Sequence, residues 1–229
     1  MARIGRVIAD LVGGAILWIP GRVGSSLRIA YYRARGATIG PGCRFDTGLS
    51  IDRPDLVSVG PGTWLDRFAI LIAGPPRPGR ETRFVGSVEL DAPAAGRIAI
   101  GARCHIGPHT ILSGIGGLIV GDEVTLAAGC KVYSLSHHYR SWARPDDRAI
   151  AFGSQVADER QSMVQGTIEI GRNVGVGVDS LILPGTRIGE DSFVRPMSVV
   201  MGSWPSNCLL AGNPATREGA RFASADDAS

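Results

Sequence analysis

Lysine is almost missing from this chain: of 24 basic residues only Lys131 is a lysine, and the rest are arginine. We read that skew as the coding bias of a GC-rich, bacterial genome rather than as a functional signal. The formal net charge is only +3, too little for a nucleic-acid binder, which must neutralise many phosphates. Aromatic residues are scarce, at 6%. The four cysteines, Cys43, Cys104, Cys130 and Cys208, include no CxxC pair, which argues against a zinc knuckle or a thioredoxin-like site. Free thiols suit a reducing cytoplasm, where the chain is expected to work. Long apolar runs are lacking too. Leu11–Pro20 (LVGGAILWIP) falls short of the roughly 20 residues that span a bilayer, and no convincing signal-peptide cleavage site follows it.

Glycine, by contrast, is abundant, with 32 residues. It would weaken a helical bundle and suits a fold with many tight corners. A period of six dominates the second half. From Ile170, an aliphatic residue recurs at Val176, Ile182, Ile188, Val194 and Val200. Four residues after each aliphatic position stands Val174, Ser180, Thr186, Ser192, Ser198 or Trp204, all but the last small or β-branched. Gly171, Gly177 and Gly189 directly follow their aliphatic residues.

Six is neither a helical period nor a simple strand alternation. It fits one short strand plus a corner, three of which close a triangular coil of about 18 residues in a parallel β-helix. The aliphatic residue should point inward from a flat face and the small residue inward near a corner, with glycine accommodating the turn's backbone angles. The same grammar runs through Ile100, Ile106 and Leu112, then, after a two-residue shift, Val120, Leu126 and Val132. It also covers Ile39, Phe45 and Ile51, and Val59 and Leu65. Cys43, Cys104 and Cys130 fall at the cramped corner position and are expected to be structural.

Three stretches break the pattern. Gly74–Gly96, rich in proline and glycine, should be a distorted coil or a protruding loop. His138–Gly166 is long and charged, and loops of that length are usually functional or disordered. After Pro214 a polar tail over 216–229 should fray. Residues 1–37 are expected to form a helical, amphipathic segment packed on one end of the β-helix body, 38–215. Six arginines and one aspartate between Met1 and Gly36 also suit peripheral contact with the inner face of an anionic membrane.

From Ile168 the chain reads IEIGRNVGVGVDSLILPGTRIGEDSFVRPMSVVMGSWPSNCLLAGNPA. This resembles the hexapeptide-repeat acetyltransferases that modify sugars, such as the maltose, galactoside and capsular-polysaccharide O-acetyltransferases. Leu183-Pro184-Gly185, Ser198-Val199-Val200 and Gly212-Asn213-Pro214-Ala215 keep that family's order. The resemblance covers roughly residues 100–217. It implies an all-β, left-handed parallel β-helix, a homotrimer, and acetyl-CoA as co-substrate in a groove between neighbouring subunits. It also implies a histidine base that takes the proton of a sugar hydroxyl. Imidazole suits that role because its unperturbed pKa of about 6.5 leaves it largely neutral near pH 7.

In SLSHHYR (134–140) His137 matches the family's base, with His138 one position away. Gly177, Ser198, Gly212, Asn213 and Arg217 are the donor-side candidates, and Arg140 and Trp142 the acceptor-side ones. A carboxylate orienting His137 is expected among Asp122, Asp146, Asp147 and Glu159. His105 and His109 do not match the spacing of a β-helical zinc site, so no metal is expected. The chain departs from the family at Gly175, where a tryptophan is usual and glycine should open the groove, and at Pro196-Met197, bulkier than the usual pair. A non-catalytic trimeric scaffold of a glycan-assembly complex is the rival reading. It requires Met197 to fill the groove beside His137.

Overall fold

The computed structural model describes residues 11–86 and 95–223. Arg3 and Arg6, part of the Gly74–Gly96 stretch and all but Ala223 of the terminal ASADDAS lie outside the described residues. Short strands wind into a left-handed β-helix whose three faces are parallel sheets. One face runs from Thr38–Ile39 to Ser203–Trp204, the second from Ser50–Asp52 to Val199–Val200, and the third from Arg44–Phe45 to Cys208–Gly212.

Register follows the six-residue period. Ile39, Val59, Ile100, Val120, Ile170, Ile188 and Trp204 stand in one inward ladder. Phe45, Leu65, Ile106, Leu126, Val176, Val194 and Leu210 form the second. The third contains Ile51, Leu71, Leu112, Val132, Ile182 and Val200. All but Trp204 are buried, and each such side chain contributes roughly 1.5–3 kcal/mol. Ser180, Thr186, Ser192 and Ser198 at the corners are also buried. Their hydroxyls satisfy main-chain groups, as when Ser192 Oγ accepts the Cys208 N–H at 3.0 Å.

The glycines after the aliphatic residues have a different cause from the one expected. A Cβ on Gly189 would lie 2.4 Å from Ser206 N, and one on Gly177 2.4 Å from Pro196 N. They are there because stacked coils touch backbone to backbone. The left-handed angles instead fall three residues after each aliphatic position, at Asn173, Asp179, Gly185, Asp191 and Met197, mostly the residue types that tolerate them.

The corner cysteines Cys104 and Cys130 are buried, and burial pushes the Cys130 thiol up to about 11, so it is inert near neutral pH. Cys43, in the first coil, is only half-buried. The expected fraying after Pro214 does not occur there. Ala215–Ala220 returns antiparallel on Cys208–Gly212 and finishes the third face.

At the other end, a helix over residues 11–18 (α1) leads into α2, Gly21–Ala34. One buried side chain fastens both to the first coil. Arg28 is fully buried. Its Nε–H donates to the carbonyl of Phe45 at 2.9 Å, and Nη1 donates to those of Ile16, Leu17 and Ile19. The cation thus adds a donor to the carbonyls at the end of α1, beside the Ile19 and Gly48 N–H groups on Ile16 and Leu17, and opposes the negative end of its dipole.

Candidate active site

The two excursions from the repeat build one structure together. Glu81–Phe84 from the first pairs in parallel with Ser162–Gln165 from the second. The latter pairs antiparallel with Leu135–His138. The expected long loop is therefore partly a strand, and the Gly74–Gly96 stretch supplies its partner. Glu81 locks the arrangement. Its Oε1 accepts the Ser141 hydroxyl and the N–H groups of Trp142 and Ala143 at 2.8–3.0 Å. Arg80 adds an ion pair with Asp158 at 2.7 Å.

Burial would push the Glu81 carboxyl up, but the bonds from Ala143, Ser141 and Trp142 outweigh it and hold it below its ordinary 4.5. A depressed carboxyl adds stability that is fully present above pH 4.5 and vanishes as pH falls through the lowered value. Glu81→Gln is therefore expected to flatten the acid limb of a melting-temperature profile, read by circular dichroism from pH 7 downward. An unchanged limb would show that this latch does not contribute.

His137 sits on this small sheet and lines a cleft of about 540 Å³. The lining is mainly apolar and includes Val85, Val164, Leu183, Pro184 and Met201. Three lining glycines, Gly86, Gly185 and Gly202, have φ of +91°, +76° and +80°. Gly86 and Gly185 pack main chain against main chain, whereas Gly202 leaves open space where a Cβ would stand. The Leu-Pro-Gly motif thus forms cleft wall. Met197 is not among the lining residues and points outward, 75% exposed.

The partner of His137 is an amide and not one of the four carboxylates expected. Gln161 is completely buried, and its Nε2 donates to the Val156 carbonyl at 2.6 Å and toward Asp158 Oδ1 at 3.4 Å. That fixes Gln161 Oε1 as the acceptor facing His137 Nε2 at 3.2 Å. The imidazole proton therefore resides on Nε2, and Nδ1 carries the free lone pair. The sequence offered no signal for Gln161, which reaches the histidine through the fold of the second excursion.

His138 serves a different purpose. Its Nδ1–H donates to the Arg140 carbonyl at 2.7 Å, and its ring stacks on Trp142 at 3.6 Å between centroids. Trp142 also lies beneath the Arg83 guanidinium and donates from Nε1 to the Met163 carbonyl. It braces the loop, while the Arg140 side chain is exposed over Tyr139. Neither Arg140 nor Trp142 lines the cleft.

The donor-side candidates are also not brought to His137 within one chain. Ser198 faces the core, donating to the Arg195 carbonyl at 2.8 Å and accepting the Gly212 N–H. Gly177 is packed against Pro196. Gly212 and Asn213 form the turn of the last hairpin, and Arg217 is exposed on its return strand. The space beside Gly175 is not open either, since a Cβ there would meet the Phe193 ring at 2.8 Å. His105 stacks on Trp64 and contacts Asp66, while His109 stacks on Phe68. Among the described residues, no group of three acidic, cysteine or histidine side chains is placed to hold a metal.

No protein-family model matches the chain. In sequence it is similar to WbbJ of Escherichia coli K12, assigned as a lipopolysaccharide biosynthesis O-acetyl transferase, at 27% identity over 56% of this chain and 63% of that protein. It is also similar to the carnitine operon protein CaiE of Escherichia coli K12, at 32% identity over 56% of this chain and 61% of CaiE. In both cases the match spans less than two thirds of the relative's length. Among solved structures, AntD, an N-acyltransferase from Bacillus cereus in complex with dTDP and 3-hydroxybutyryl-CoA, superposes with a TM-score of 0.65 at 21% identity, covering 85% of this chain and 88% of that one. A maltose O-acetyltransferase from Clostridium difficile gives a TM-score of 0.53 at 17% identity, covering 94% and 85%.

Proposed function

We propose that this chain, similar in sequence and fold to the hexapeptide-repeat acetyltransferases, moves an acetyl group from acetyl-CoA to a sugar hydroxyl with His137 as general base. The observation that carries the reading is His137 itself, lining an apolar cleft and held in one tautomer by Gln161. The acceptor hydroxyl gives its proton to Nδ1 as its oxygen bonds to the thioester carbonyl carbon. The tetrahedral intermediate then collapses, the carbon–sulfur bond breaks, and the departing thiolate recovers the proton from Nδ1. No enzyme nucleophile is needed. The apolar wall from Val164 to Met201 suits the pantetheine arm, and the oxyanion calls for a main-chain N–H donor other than that of Gly185, which is given to the Gly166 carbonyl. The protein acts as a homotrimer, with a neighbouring subunit closing the open side of the cleft.

The test is CoA release from acetyl-CoA and longer acyl-CoAs, with nucleotide sugars, oligosaccharides and amino sugars as acceptors. Amino sugars belong in the panel because the same base and donor would serve an amine. Turnover with a hydroxyl acceptor supports the proposal. Turnover with amines alone moves the reading to N-acylation, and failure both to turn over and to bind acetyl-CoA by calorimetry returns the protein to the scaffold reading.

Gln161 makes a second test of the base. Replacing its neutral amide with a carboxylate stabilises the imidazolium, so Gln161→Glu is expected to move the acid limb of kcat/KM upward by about one pH unit or more. A limb that stays put would remove Gln161 from the proton-transfer machinery.

A further inference from the structure

Helix α1 reads LVGGAILW over residues 11–18 and carries no polar side chain. Its packed side is short. A Cβ on the buried Gly13 would collide with the Tyr31 ring, and the half-buried Ile16 and Leu17 bracket the carbonyls that Arg28 binds. The opposite side presents Leu11, Gly14, Ala15 and Trp18 at spacings of three and four, which is one helical face. Leu11 is 70% exposed and Trp18 64%. On α2, Val23 and Leu27 extend the exposed apolar surface, Val23 at 69%. A surface helix of a globular protein normally turns polar residues to that side, so this face needs an occupant.

Charge identifies it. Between Asp10 and Asp46 the chain contains no carboxylate side chain but has Arg22, Arg28, Arg33, Arg35 and Arg44. Arg28 is internal, whereas Arg22, Arg33 and Arg35 are exposed on or beside α2. A second copy docked face to face would set arginines against arginines with no carboxylate to offset them. An anionic surface with an apolar interior meets both demands at once. Trp18 closes the apolar face at the position where an indole settles between acyl chains and headgroups. The described helices cannot span a bilayer: none is long and apolar enough to cross one.

We propose that the exposed face of α1 and α2 docks the protein on an anionic lipid bilayer, lying in the headgroup boundary with its arginines toward the lipid phosphates. This surface is separate from the His137 cleft, so the inference stands or falls apart from the acyltransferase reading. The test is co-sedimentation of the full chain with vesicles of phosphatidylcholine containing phosphatidylglycerol, against vesicles of phosphatidylcholine alone.

Binding to the anionic vesicles is expected, weakening as salt is raised. Arg22→Glu should lower it about thirtyfold, since reversing one charge near the surface changes the attraction by roughly two charge equivalents. Leu11→Glu with Val23→Glu should abolish it, while circular dichroism and CoA release with a soluble acceptor stay at wild-type level. Equal binding to neutral vesicles, or none to either, overturns the proposal. So does patch-dependent self-association on size exclusion, which would assign the face to a second copy.

Discussion

Alanine at His137 is expected to cut acceptor-dependent CoA release by about 10²–10⁴-fold, the usual worth of a positioned base, with acetyl-CoA binding unchanged by calorimetry. The effect should fall on kcat, because the side chain acts on the proton in flight and not on the resting donor. His138→Ala is the companion variant. It removes the stack on Trp142 and the bond to the Arg140 carbonyl, so its effect should appear as a lower melting temperature and a raised acceptor KM. If His138→Ala alone abolished turnover, the base would be His138 and the Nδ1 assignment would fail with it. If both variants kept wild-type kcat, no histidine of this segment would act as base.

Arg28→Leu should cost about 3–5 kcal/mol, since each buried carbonyl left without a donor costs roughly 1–3 kcal/mol. Four main-chain carbonyls lose this donor; those of Ile16 and Leu17 keep the N–H groups of Ile19 and Gly48, so the loss falls on the carbonyls of Ile19 and Phe45. For a chain of this length that corresponds to a fall in melting temperature of roughly 6–20 °C. Hydrogen exchange should locate the damage in residues 11–34, with the coils beyond Leu65 still protected, since each coil depends on its immediate neighbours. Loss of protection spread evenly over the β-helix would show that Arg28 supports the whole stack and not only the helical end.

The coil architecture was legible because its cause is local and periodic. An inward aliphatic residue every six positions needs no knowledge of its neighbours, and the ladders of Ile170, Val176 and Ile182 follow from it. What one coil does to the next was not legible. Glycine at 189 looked like a turn residue, yet its cause is the backbone of Ser206 in the following coil. Gly175 looked like an opened groove, yet Phe193 occupies the space. In the candidate site, His137 was found through the Ser-His segment at the end of a coil. Gln161 was missed because a glutamine in a charged loop has no pattern, and its meaning arises only when Val156 and Asp158 fix its amide. Ser198 belongs to a legible motif, but the motif does not say that its hydroxyl bonds the Arg195 carbonyl and the Gly212 N–H.

The small sheet that carries His137 also sets a timetable for synthesis. Glu81–Phe84 leaves the ribosome early, but among the described strands its partner is Ser162–Gln165, and the coils through Ile100 and Val120 lie in the interval. Such a distant parallel pairing is slow to form, because the intervening chain must be ordered before the contact is made. A nascent chain therefore builds its frame from the amino terminus, pairs this strand only once Gln165 has emerged, and completes the cleft when Met201 and Gly202 follow. Until that pairing the strand at 81–84 is an unpaired edge, so the moment of greatest exposure to aggregation comes in the middle of translation rather than at its end.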